Sequence, residues 1–271
     1  MNPAEHGAAV AAEAAGFVAT VKAADLSTPV PTCPGWTLGD LTRHVGSVHR
    51  WFTELLRQSI QQPPVSRAVE LRLPEHPEGL PDWLAMSAGE AAEVFAATDL
   101  DAPMWAWGAD QHARFWVRRM LFETLVHRVD AQLALGLVPH VDRALAVDGI
   151  DEFLTNLPFA SPFAPLTAQL RAADRTIRFS CTDGEAEGGE GEGGDGGGDW
   201  LVRLRPDGFA LAAEPAGLRA ADAADAADAS VRGTAADLLL LLYGRLDHRS
   251  DAFQQLGDPA LLDHWFANSA F

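Results

Sequence analysis

Apolar residues recur at helical spacing from Asn2 to Gly136 and alternate two by two after Pro139, and this change of texture limits the fold more than any other feature. In Asn2-Pro3-Ala4-Glu5 an N-cap precedes a proline at the first helical position and a capping-box glutamate, which predicts a helix from about Pro3 to Ala24. Pro29, Pro31 and Pro34 make residues 26–34 extended. Thr37-Leu38-Gly39-Asp40 is a second capping signal and opens a helix to about Ile60, with Leu41, Val45, Val48, Phe52 and Leu55 on its apolar face. A long proline-bearing loop follows, then a third helix from Asp82 to Ala97. The fourth starts near Asp110 and ends at Gly136, a C-terminal capping glycine. A fifth helix, about Ala144 to Leu157, precedes alternating segments at Thr176–Cys181, Trp200–Leu204, Gly208–Ala213 and Ser230–Gly233. The expected architecture is an all-α four-helix bundle over residues 1–140 and an α+β domain over residues 141–271. A flexible acidic, glycine-rich loop is expected at 184–199.

The net charge of −18 disfavours nucleic acid and anionic membrane as partners. Ten of the acids are clustered in two low-complexity tracts, from Asp183 to Asp199 and from Asp222 to Asp228, so the remainder is only mildly acidic. No apolar run approaches the roughly 20 residues of a membrane helix. The N-terminus lacks a basic segment followed by an apolar core, so a cytoplasmic location is expected. Cys33 and Cys181 are expected as reduced thiols. Lys22 is the only lysine among many arginines, and with abundant alanine this points to a GC-rich bacterial genome.

Glu123 and His127 lie one turn apart on the fourth helix, flanked by apolar Phe122, Val126 and Val129. His44 lies in the apolar stripe of the second helix. His49 is roughly 140° further round and is poorly placed to share a ligand with it. Two histidines and a carboxylate from facing helices form a three-ligand site with an open position, the pattern of catalytic zinc, and the set also suits iron. Spacing alone leaves a second reading open: a hydrogen-bonded interior histidine and a solvated i, i+4 contact.

Pro34-Gly35-Trp36-Thr37 followed by Leu41 to Val45 resembles the PGWT…L..H signature of the maleylpyruvate isomerase family of mycothiol-dependent enzymes. Arg118-Arg119-Met120 to Glu123, then His127-Arg128-Val129-Asp130-Ala131, resembles that family's RR…E…HR.DA signature. The resemblance implies a DinB-like helical domain in which His44, Glu123 and His127 hold a divalent metal, zinc, with mycothiol as thiol cofactor. It also implies a C-terminal domain of sterol-carrier-protein-like type, matched best at Val231-Arg232-Gly233-Thr234 with Asp237-Leu238. Many relatives carry histidine where this chain has Phe122.

The function implied is isomerisation or thiol transfer on a small electrophile, with a small-molecule substrate and a low-molecular-weight thiol as partners. The alternative is a metal-binding regulatory or ligand-binding module without activity. Arg119 and Asp130 are the candidate catalytic residues, Arg119 to meet an anionic ligand and Asp130 to orient His127. A salt bridge to Arg128 or an inter-domain contact competes as the role of Asp130. Trp36 and Arg118 are candidates for the cofactor site, with a core anchor as the competing role for Trp36. Cys33 is weighed as a nucleophile against a small buried residue.

Overall fold

Three of the four long N-terminal helices begin at a side-chain cap or a first-turn proline, and the fourth begins with the N–H groups of Ala113 and Arg114 donating to the backbone carbonyls of Ala102 and Leu100. The structure, a computed structural model, describes residues 1–66, 68–184, 198–212 and 227–270. Most of the expected acidic loop at 184–199 and the alanine–aspartate repeat before Ala227 lie outside the described residues. Helix α1 spans Pro3–Val21, with Asn2 accepting from the backbone N–H groups of Ala4 and Glu5 while the Glu5 carboxylate closes the capping box. Helix α2 spans Leu38–Gln58 and opens on the Thr37–Asp40 box. Helices α3 (Leu80–Ala97) and α4 (Ala113–Ala134) complete the helical unit. Helix α4 starts later than the sequence predicts. A bridge between Pro103 and His112, with Met104 N–H donating to Gln111 O, keeps the chain extended through His112. Its end is followed by Gly136 at φ +68°, the left-handed position expected of a C-terminal glycine.

Chain contacts divide the protein into Met1–His140 and Val141–Phe271. In the first unit α1 packs on α3 and α4, and α2 packs on the same two helices. Phe17, Val21, Leu38, Leu41, Val45, Leu84 and Ala131 form a fully buried cluster there. Helix α2 approaches α3 closely at Gly46, where an added Cβ would lie 2.2 Å from the Trp83 ring. Trp83 is itself fixed, since its Nε1–H donates to Leu71 O at 2.8 Å.

The second unit carries α5 (Arg143–Asn156), β1 (Arg175–Cys181), β2 (Asp199–Arg205), β3 (Gly208–Leu211), β4 (Ala229–Gly233), α6 (Ala235–Leu242), β5 (Gln254–Gly257) and α7 (Pro259–Asn268). Among the described residues the strands form one mixed sheet in the order β3-β2-β1-β4-β5, in which only the β1–β4 pair is parallel. Ile177 and Phe179 of β1 stand opposite Val202 and Trp200 of β2 and opposite Ala229 and Val231 of β4, which makes one continuous apolar face. Trp265 of α7 covers it, with ring centroids 5.7 Å from Phe179 and 5.6 Å from Phe209. Helices α5 and α6 pack together through Phe153 and Tyr243. Among the described residues no helix is long and apolar enough to cross a membrane.

Gly46→Ala tests the close approach. Alanine should gain about 1 kcal/mol in helix propensity, whereas overpacking against Trp83 should cost about 1–3 kcal/mol. A net loss of stability in urea unfolding is expected; a variant as stable as the parent would show that α2 and α3 are not held this close.

Candidate metal centre

The Pro34-Gly35-Trp36-Thr37 run is a turn joined to a cap. Cys33 O accepts from Trp36 N–H at 3.0 Å. Pro34 fills the second position of the turn and Gly35 the third, at φ +84°, which is a type II turn with the residues its geometry demands. Val30 N–H then donates to Trp36 O at 2.9 Å, and Thr37 caps α2 through Asp40 N–H at 3.2 Å. The turn thus delivers Cys33 and Trp36 beside the first two turns of α2, where His44 lies.

Across from α2, helix α4 presents Glu123 and His127. Glu123 Oε1 is 3.1 Å from His44 Nε2 and 3.3 Å from His127 Nε2. The two imidazole rings meet edge to face with centroids 4.9 Å apart. Trp36 lies 5.0 Å from the His44 ring and is stacked 6.5 Å from the His127 ring. The second carboxylate oxygen, Oε2, accepts from Arg119 Nη2 at 3.3 Å, and Arg119 is almost fully buried. The His127 Nδ1–H donates to Asp130 Oδ2 at 2.8 Å, and Asp130 has no solvent exposure. Hence Glu123 is gripped by Arg119 on one oxygen, and the imidazole of His127 is gripped on one nitrogen. The atoms left over face each other.

The second signature also has a local explanation. Arg128 donates through Nε to Glu13 of α1, through Nη1 to Gln132 and through Nη2 to His140 O. It therefore ties α4 to α1, which leaves Asp130 for His127 instead of the salt bridge with Arg128 that competes in the sequence. Ala131 is wholly buried in the core cluster. Arg118 is half-buried.

Burial alone would raise the Glu123 pKa. Hydrogen bonds from His127 and His44, with the charges of His127 and Arg119, outweigh it and hold the carboxyl well below its ordinary value. Burial alone would lower the His127 pKa, but its hydrogen bonds with Asp130, Cys33 and Glu123 hold it well above the ordinary value. Without metal the site is thus a carboxylate beside an imidazolium.

Among the described residues, two groups have the donor types and spacing to hold a metal ion: His44 with Glu123 and His127, and Cys33 with His127 and Asp130. In each group the ligand atoms lie within 4.8 Å of one another. A tetrahedral ion with bonds of about 2.0–2.1 Å sets its ligands roughly 3.3 Å apart. The contacts of 3.1 and 3.3 Å around Glu123 Oε1 fit that spacing. His112 is engaged with Asp110 at 2.5 Å, and His49 faces Thr124.

In the binding-module reading of the sequence, His49 or His112 would be the fourth ligand of a closed metal site, but His49 is engaged elsewhere. Thr124 Oγ1 donates to Met120 O at 2.7 Å, so it accepts from His49 Nε2–H at 2.9 Å, and the neutral tautomer of His49 is fixed. Burial pushes the His49 pKa down to about 4, against a smaller opposing pull from Glu123. Cys181 belongs to the second unit, and burial with the nearby Asp183 and Asp199 charges pushes its thiol up to about 11. It is therefore not an activated nucleophile near neutral pH.

The sign of the His49 effect is definite. As pH falls from 6.5 toward about 4, the unfolded chain takes up a proton at this position and the folded chain does not, so stability falls across that window. The loss should total about 3 kcal/mol. In metal-free protein, His49→Gln should flatten the dependence of the urea unfolding free energy between about pH 7 and about pH 4.5 by a sizeable part of that amount. Parallel pH profiles for the two proteins would contradict the assignment.

Comparison with known proteins adds a frame to this geometry. Residues 8–132 match the mycothiol maleylpyruvate isomerase N-terminal domain, and residues 144–264 match the C-terminal domain of the same family. Two crystal structures are similar in fold. One is of the mycothiol-dependent maleylpyruvate isomerase, 14% identical, and the other is of its variant with one histidine replaced by alanine, 13% identical. Each has a TM-score of 0.57, and the alignments cover 94% of this chain and 93% of theirs. A search of curated proteins found no match.

Proposed function

The chain belongs to the mycothiol maleylpyruvate isomerase family, and from that premise we propose that it is a mycothiol-dependent metalloenzyme acting on a small electrophilic substrate. The reaction is isomerisation of a conjugated double bond or transfer of the thiol to the substrate. His44 Nε2, Glu123 Oε1 and His127 Nε2 hold a divalent ion, zinc, and leave a position open. The observation that carries this reading is the convergence of those three atoms from α2 and α4, with Glu123 Oε1 3.1 and 3.3 Å from the two imidazole nitrogens. The chemistry such an ion supplies is stabilisation of a bound thiol as thiolate near neutral pH.

The remaining tasks fall to the chain itself. Arg119 keeps Glu123 ionised and its Oε2 occupied, so Oε1 alone faces the two histidines. Asp130 fixes the His127 tautomer with Nε2 free to ligate. Trp36 packs against both imidazoles and shields them from water on that side, where it also offers a flat wall to the thiol cofactor. Arg119, which the sequence assigns to the anionic part of a ligand, is engaged with Glu123, so in this proposal that task passes to Arg118. We read the helical unit as DinB-like and the C-terminal unit as sterol-carrier-protein-like, and we place the enzyme in the cytoplasm of a mycothiol-making actinobacterium.

Elemental mass spectrometry of the purified protein should find near-stoichiometric zinc, and calorimetric titration should show mycothiol binding. Glu123→Ala should lose both together. Wild-type protein that neither carries nor takes up metal, or a Glu123→Ala variant that binds thiol like the parent, would overturn the proposal. Protons also compete for the ligands. His127 must shed its proton to bind metal, and its pKa is raised, so apparent zinc affinity should fall steadily as pH is lowered through the neutral range. A flat pH profile would exclude His127 as a ligand.

A further inference from the structure

We infer that Cys33 is a positioning residue for the metal ligands: its thiol and the Nδ1–H of His127 converge on the same oxygen of Asp130. The Cys33 thiol donates to Asp130 Oδ2 at 3.5 Å, and His127 Nδ1 is 2.8 Å from that atom. Cys33, His127 and Asp130 form a second compact cluster of ligand-type atoms beside the first, and His127 is common to both. The inference rests on the metal reading above and extends it by one residue.

Three physical points support it. Asp130 is wholly buried, so its carboxylate depends on protein donors to stay charged and to keep one orientation. A thiol is a weak donor that packs like a small hydrophobe, which suits a place against the apolar cluster of Leu38, Leu41 and Ala131. Cys33 is also fixed from behind, because its N–H donates to Val30 O and its carbonyl accepts from Trp36, both at 3.0 Å. One turn thus sets the thiol against Asp130 and the indole of Trp36 against the two imidazoles.

The placement also decides against two other roles. Cys33 shares an Asp130 oxygen with His127 Nδ1 and groups with those two residues, not with the set of His44, Glu123 and His127. It is therefore neither a fourth ligand to an ion held by Nε2 nor a nucleophile at that ion's open position. Its effect reaches the orientation and basicity of His127 through Asp130 and through its own contact with the imidazole.

The test compares Cys33→Ser, Cys33→Ala and Cys33→Val in the full chain. Zinc affinity is read by competition with a chromogenic chelator, and the His127 Nδ1–H proton is followed by NMR in metal-free protein. Serine restores a donor and should bind zinc within about twofold of wild type, whereas alanine and valine should each weaken binding about tenfold. The Nδ1–H resonance should lose its strongly hydrogen-bonded downfield position in the alanine and valine variants and keep it in the serine variant. Thermal unfolding separates this from simple packing, since valine fills the volume without donating. Zinc affinity and Nδ1–H resonance unchanged in Cys33→Val would overturn the inference. So would a serine variant as weak as alanine with an unchanged melting temperature. Should the wild type take up no zinc, the metal reading falls, and the Nδ1–H resonance alone then decides whether Cys33 positions His127.

Discussion

The contact between His44 and Glu123 is the interaction on which the helical unit's chemistry depends. It joins α2 to α4 through two half-buried polar groups, each partly withdrawn from water and therefore in need of a partner. Glu123 is set among residues buried on every side of α4, including Phe122, Leu125, Val126 and Val129. A carboxylate in such a place is sustained only because His44, His127 and Arg119 surround it. Removing either histidine leaves a half-buried carboxylate short of a partner, so the three residues act as one unit.

Around that unit the supports are arranged by distance. Arg119 and Asp130 touch the ligand candidates directly, and Cys33 and Trp36 are carried to them by one type II turn. Arg128 ties the same stretch of α4 to Glu13 of α1, so each side of this stretch meets a specific partner. Precision of this kind is what a site needs if its ligands are to stay within a fraction of an ångström of working geometry. The sheet unit carries none of these residues; its order and apolar face make a separate core.

How much of this was legible in the sequence follows from how local each feature is. The capping boxes at Asn2 and Thr37 involve residues three apart, and both formed as read. The alternation in β1 and β2 gave the buried positions Ile177, Phe179, Val202 and Leu204. Strand β5 was missed because Gln254–Gly257 is a short, mostly exposed edge strand with no apolar alternation to show it. The i, i+4 spacing of Glu123 and His127 puts them on one helical face. That His44 stands opposite depends on the register of α2 against α4, which spacing does not contain and which family resemblance supplied. The Cys33–Asp130 contact spans 97 residues and the His49–Thr124 contact spans 75, so neither leaves a local signal.

Three side chains holding one ion, with room for an external sulfur, make a ligand shell whose atoms can be counted. X-ray absorption at the zinc edge of the purified protein, recorded with and without mycothiol, tests that arrangement most directly. The account predicts only nitrogen and oxygen scatterers at about 2.0–2.1 Å in thiol-free protein, joined by one sulfur at about 2.3 Å when mycothiol is added. A sulfur already present without thiol, or a ligand shell that mycothiol leaves unchanged, would contradict it.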